Sequence, residues 1–111
     1  MRYEDIILEK SRLNHELETM GKQILNKVKN ENLELWGKLY PYTSGIHLNL
    51  ESGRFYVYVN GLEGWVYDID SKTLTFSCEG YTSLLIHKRV IKLIDHIEKY
   101  LKGERNENIQ V

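Results

Sequence analysis

Along residues 3–30 the apolar side chains recur at helical spacing: Ile6, Leu13, Leu17, Met20, Ile24 and Val28 are separated by 7, 4, 3, 4 and 4 positions. Steps of three and four hold them on one stripe of a helix, with Lys10 at the position skipped between Ile6 and Leu13. No proline interrupts the run, and Gly21 is its weak point, costing about 1 kcal/mol relative to alanine. Such a helix would be roughly 42 Å long, whereas a compact domain of this chain length is only about 35 Å across. The pattern therefore predicts either a break near Gly21 or burial of the protruding stripe against a second copy. Leu13, Leu17, Met20, Ile24 and Val28 are the residues expected to form that seam.

Residues 31–42 are apolar and aromatic but carry two periods at once. Leu33, Trp36 and Tyr40 are spaced as on a helix, while Leu33, Leu35 and Gly37 alternate as in a strand. Pro41 ends either element. The reading adopted is a helical turn followed by a loop through Thr43, Ser44 and Gly45.

From residue 46 the period changes to two. Ile46, Leu48 and Leu50 alternate with His47 and Asn49; Phe55, Val57 and Val59 with Tyr56 and Tyr58; Trp65, Tyr67 and Ile69 with Val66 and Asp68; and Leu74, Phe76 and Cys78 with Thr75 and Ser77. Turn residues lie between the runs: Glu51, Ser52 and Gly53, then residues 60–64, then Asp70, Ser71 and Lys72. Strands so close in sequence must be antiparallel neighbours, which predicts a four-stranded meander. One face, with Phe55, Val57, Val59 and Trp65, belongs to the core; the other displays His47, Tyr56, Tyr58 and Val66.

After the last strand Thr82 or Ser83 can cap a further helix. Ile86, Val90, Leu93, Ile94, Ile97 and Leu101 form its apolar stripe, and Lys88, Arg89, Lys92, Asp95, Lys99 and Lys102 its wet face. Gly103 is the expected stop, with residues 104–111 a flexible tail. The expected architecture is a single α+β domain over residues 1–103, a long N-terminal helix, a four-stranded antiparallel meander and a C-terminal helix, with the helices on one face of the sheet.

Composition narrows the function classes. The chain has 111 residues, 41% of them hydrophobic and 28% charged, which suits one folded domain and excludes a multi-domain enzyme. The formal charge of −1 conceals an uneven layout: residues 1–40 balance to 0, residues 41–82 to −3 and residues 83–111 to +2. The longest uninterrupted apolar run, Phe55 to Val59, is far short of the roughly 20 residues that cross a bilayer. The first ten residues have no apolar leader core, and Cys78 has no cysteine to pair with, so a reducing, cytoplasmic setting is expected. The chain contains no alanine, a bias similar to that of AT-rich phages and low-GC bacteria.

Chemistry-bearing motifs are few. No Walker A loop, G-x-G-x-x-G or G-x-S-x-G occurs. His15, His47, His87 and His96 lack metal-ligand spacing, and Asp68 and Asp70 lack the glycine and distal glutamate of a calcium loop. Cys78 alternates with the core set and is expected to be a buried thiol rather than a nucleophile. No enzyme, cofactor or metal is therefore expected. The tyrosine-bearing sheet face suits a protein partner, against the competing view that tyrosines sit there for strand propensity alone. Base stacking on that face is disfavoured by the local charge of −3.

The order of helix, strands and helix is similar to that of double-stranded RNA-binding domains, in which a lysine-rich first turn of the last helix meets phosphates. Lys88, Arg89 and Lys92, with His87, occupy an early part of the last helix here. The resemblance implies an alternative, nucleic-acid binding through those three residues. It stops at topology, because the family's alanine-rich second-helix pattern is absent and the first helix is too long. The expectation is a non-enzymatic protein-binding module that dimerises through its N-terminal helix, of the kind a phage or mobile element uses to inhibit a host system.

Overall fold

Four strands pair in the order in which the chain makes them. The computed structural model describes residues 3–77 and 84–110, with side chains over residues 13–77 and 84–102. Helix α1 (Tyr3–Glu31) leads into a short α2 (Leu33–Leu39) and a 3-10 turn (Tyr40–Tyr42). Strands β1 (Gly45–Asn49), β2 (Arg54–Val59), β3 (Leu62–Asp68) and β4 (Thr73–Phe76) follow, and helix α3 (Leu84–Gln110) ends the chain. The sheet is an antiparallel meander of order β1-β2-β3-β4, so the α+β architecture expected from the alternation is the one observed.

Short turns set the registers. Asn60 and Gly61 both have positive φ, 53° and 76°, the pairing that a two-residue type I′ hairpin needs to match strand twist. The turn is therefore tighter than residues 60–64, and β3 starts at Leu62. The extra length is absorbed by a bulge: Val57 faces Trp65 but Tyr58 faces Glu63, so Gly64 has no opposite residue on β2.

One face of the sheet is dry. Leu48, Phe55, Val57, Trp65 and Tyr67 are buried there against Ile24 and Val28 of α1 and Leu39 of α2. The α3 stripe of Ile86, Val90, Leu93, Ile94 and Ile97 completes the core. Side-chain hydrogen bonds fasten α3 to the centre of the sheet. Trp65 Nε1 donates to His87 Nδ1 at 3.1 Å, and the Tyr67 hydroxyl donates to Glu98 Oε1 at 2.8 Å. Arg89 Nη1 donates to the Lys38 carbonyl at 2.8 Å and ties α3 to α2. The segment that carried two periods is thus helical, as its Leu33, Trp36 and Tyr40 spacing indicated.

Helix α1 does not break. Gly21 is buried where α1 crosses β1, and a Cβ at that position would stand 2.5 Å from the Leu48 carbonyl oxygen. The glycine is there for close approach of two backbones, not as a hinge. Twenty-nine residues of unbroken helix span about 44 Å, which makes the molecule elongated, 52 × 31 × 24 Å. Helix α3 likewise continues through Gly103 to Gln110, past the stop expected there. Cys78, Thr82 and Ser83 lie outside the described residues.

Candidate functional site

The wet face of the sheet carries the residues singled out for it. His47 stands opposite Tyr56, Tyr56 opposite Val66 and Val66 opposite Thr75, one row across all four strands. Tyr58 projects two residues along β2 on the same side, since alternate residues share a face. All of His47, Tyr56, Tyr58 and Val66 are half-buried. The rings form a band: His47 and Tyr56 have centroids 6.4 Å apart at 23°, and Tyr56 and Tyr58 5.8 Å apart at 18°. Near-parallel rings at this separation are held by offset stacking, which fixes their orientation before any partner arrives.

Electrostatics around the band come from its own neighbours. Desolvation raises the Tyr58 phenol above its ordinary pKa, with Glu63 across the bulge and Tyr56 adding to the shift. The Tyr58 phenol is therefore a neutral donor at physiological pH. Asp68, on the same face by alternation, is occupied in the β3–β4 turn, where Oδ1 accepts from the Asp70 and Ser71 main-chain N–H groups. Those bonds, the Ser71 N–H foremost, hold its carboxyl below the usual range. Asn49 accepts from the Ser52 N–H in the β1–β2 turn in the same way. The chemistry left for a ligand is thus concentrated on His47, Tyr56 and Tyr58.

The basic cluster of α3 is only partly available. Lys88 and Lys92 are exposed, but Arg89 is committed to the Lys38 carbonyl, and His87 is turned inward to accept from Trp65. Lys88, Arg89 and Lys92 do share a groove of about 580 Å³ with Lys38 and His96, between α2 and α3. Leu33 and Leu85 on its walls are exposed. Its cationic side is diluted by Glu31 and by Glu34, which pairs with Lys38 at 3.0 Å.

The expected dimer seam divides in two. Ile24 and Val28 are 2% and 0% exposed, core residues of the single chain and out of reach of any partner. Leu13 and Met20 are exposed at 49% and 40%, with Leu17 half-buried between them. One helical period produced a single stripe in the sequence, yet only its C-terminal half has a sheet beneath it.

A second feature lies on the rim of the sheet. Trp36 and Tyr40 stack at 5.6 Å and 15°, and Lys29 Nζ sits 5.6 Å from the centre of the Trp36 ring. The four-residue spacing of Trp36 and Tyr40 was visible in the sequence; their closeness to β1 was not, because it depends on how α1 and α2 turn. Among the described residues no three His, Cys, Asp or Glu side chains come together as a metal site. No described helix is long and apolar enough to cross a membrane. Comparison of the chain with protein-family models, with curated proteins and with solved structures returned no match.

Proposed function

We propose that this protein is a non-enzymatic binding module whose recognition surface is the open sheet face formed by His47, Tyr56, Tyr58 and Val66. The observation that carries the reading is the aromatic band itself. Its three rings are held nearly parallel, and among the described residues none of their polar tips has a hydrogen-bond partner within the chain. Rings fixed in this way lose little side-chain entropy on association and present donors at the end of an apolar surface, the mixture enriched at protein interfaces. A second copy packed on Leu13, Leu17 and Met20 would cover the apolar part of α1 that extends beyond the sheet. The single Cys78 and the alanine-free composition fit a cytoplasmic accessory factor of a phage or mobile element, with a host protein as its target.

The test is capture from a bacterial host extract by immobilised protein, compared with the Tyr56→Ala/Tyr58→Ser variant. A partner held by the parent and lost by a variant of unchanged melting temperature supports the reading. Equal capture by both would overturn it.

A second reading, nucleic-acid binding, is favoured by the convergence of Lys88 and Lys92 with Lys38 and His96 around one groove. It requires affinity that falls steeply with salt and with Lys88→Ala/Lys92→Ala. Salt-independent binding, or none, removes it.

A further inference from the structure

The sheet has two edges, and the one at β1 opens into a cleft of about 640 Å³. Residues 45–48 of β1 form one wall; Lys22, Leu25, Asn26 and Lys29 of α1 and the Trp36–Tyr40 stack form the rest. We propose that this cleft takes an extended acidic peptide segment of a partner protein, which adds to β1 as a fifth antiparallel or parallel strand. The proposal is distinct from the sheet-face reading, since it rests on the β1 edge, α1 and α2, and of the face residues it shares His47 but not Tyr56, Tyr58 or Val66.

Backbone geometry supplies the first argument. In an antiparallel pair, main-chain groups point alternately toward the partner strand and away from it. The Leu48 carbonyl must point away from β2, because α1 reaches it at Gly21. By the alternation, the N–H and carbonyl of Ile46 point the same way, into the cleft. An edge strand with such groups uncovered is a template for another strand unless something blocks it. Helix α1 meets the edge at Leu48, and the length left, residues 45–47, pairs with a segment of about three residues at roughly 3.3 Å each.

Charge selects the occupant. Lys22 and Lys29 lie seven apart on α1, hence on one face two turns apart, and both line the cleft. Among the described residues Lys29 has no carboxylate partner; its ammonium rests over Trp36 instead. Lys22 pairs with exposed Glu18 at 3.3 Å, an i,i+4 contact that an incoming carboxylate can displace. Among the described residues no acidic one lines the cleft. Every second side chain of an added strand would face α1, so an alternation of glutamate with a β-branched residue sets carboxylates toward the lysines and apolar groups toward Trp36 and Tyr40.

The probe is an acetylated, amidated pentapeptide alternating glutamate and valine, titrated into the full chain. Amide chemical shifts and Trp36 emission report binding, with Trp65 as the buried internal reference. The expected result is saturable binding with shifts centred on Ile46, weakened about tenfold by Lys29→Glu at unchanged melting temperature and progressively by salt. A pentapeptide N-methylated at alternate residues, with its charges intact, should bind at least about tenfold more weakly in the register that removes the strand hydrogen bonds. The proposal is overturned if the lysine–valine counterpart binds equally, if both N-methylated registers bind as well as the parent peptide, or if the shifts fall on the β4 edge at residues 73–76. It is also overturned if the Ile46 amide is protected in a concentration-dependent way without peptide, which would mean that a second copy fills the cleft.

Discussion

The indole N–H of Trp65 and the Nδ1 of His87, residues 22 apart in the chain, are joined at 3.1 Å inside the seam between sheet and helix. Because Nδ1 accepts, the imidazole proton resides on Nε2, and Phe76 closes the site with its ring 4.9 Å from Trp65 and 6.1 Å from His87. Replacing His87 with leucine leaves a buried indole donor unsatisfied, and the expected loss is about 1–3 kcal/mol. His87→Gln, which can still accept, should lose less. Urea midpoints followed through tryptophan emission measure both, and equal losses would show that the hydrogen bond contributes little.

Gly21→Ala should lower stability although it improves helix propensity by about 1 kcal/mol. The new methyl carbon meets the Leu48 carbonyl oxygen at 2.5 Å, and neither backbone can retreat without displacing Ile24 or Leu48 from the core. A net loss of about 1–3 kcal/mol is expected, read as a lower thermal midpoint. A raised midpoint would place the crossing of α1 over β1 elsewhere.

Alkali should weaken the fold through Tyr67. Burial first, then its hydrogen bond to Glu98, push the Tyr67 phenol up to about 12, against about 10 in an unfolded chain. The folded state favours the neutral phenol, so this contribution is whole below about pH 10 and is lost as pH rises toward about 12. Tyr67→Phe should flatten the stability profile across that window and lower stability by about 1 kcal/mol at neutral pH. Parallel denaturation curves for parent and variant above pH 10 would contradict the assignment.

The exposed part of α1 makes a prediction about mass. If a second copy covers Leu13, Leu17 and Met20, light scattering will give about twice the 13.2 kDa of one chain. Leu13→Lys with Met20→Lys should return it to the monomer value with the chain still folded and its melting temperature no longer dependent on concentration, because both side chains are exposed in the single chain. The same double substitution made at Ile24 and Val28 should unfold the chain instead, since those residues are core.

The sequence made the sheet legible because alternation is a local signal: Leu48, Phe55, Val57 and Trp65 announce their face within their own strands. The stripe of α3 was equally plain from Ile86, Val90, Leu93, Ile94 and Ile97. What periodicity does not encode is the end of the support beneath a helix, so Ile24 and Leu13 looked alike although only one has a sheet under it. Gly21 had the right residue type for two different jobs, hinge and close contact, and only the proximity of Leu48 decides between them. The α2 segment was ambiguous because its helical and strand spacings share Leu33. For the candidate sites, His47, Tyr56, Tyr58 and Val66 were found by parity alone, whereas the β1 cleft needed the meeting of Lys29, Trp36 and Ile46 from three elements.

A meander joined by short turns also has a kinetic consequence. Each strand pairs with the strand next to it in sequence, so β1 through β4 can assemble by successive hairpin closures with small loop-closure entropy. Helices α1 and α2, at one end of the chain, must find α3 at the other, and they pack against it in the finished fold. Pairing within the sheet is thus local in sequence, and bringing the two ends of the polypeptide together over it is the step with the larger loop-closure cost.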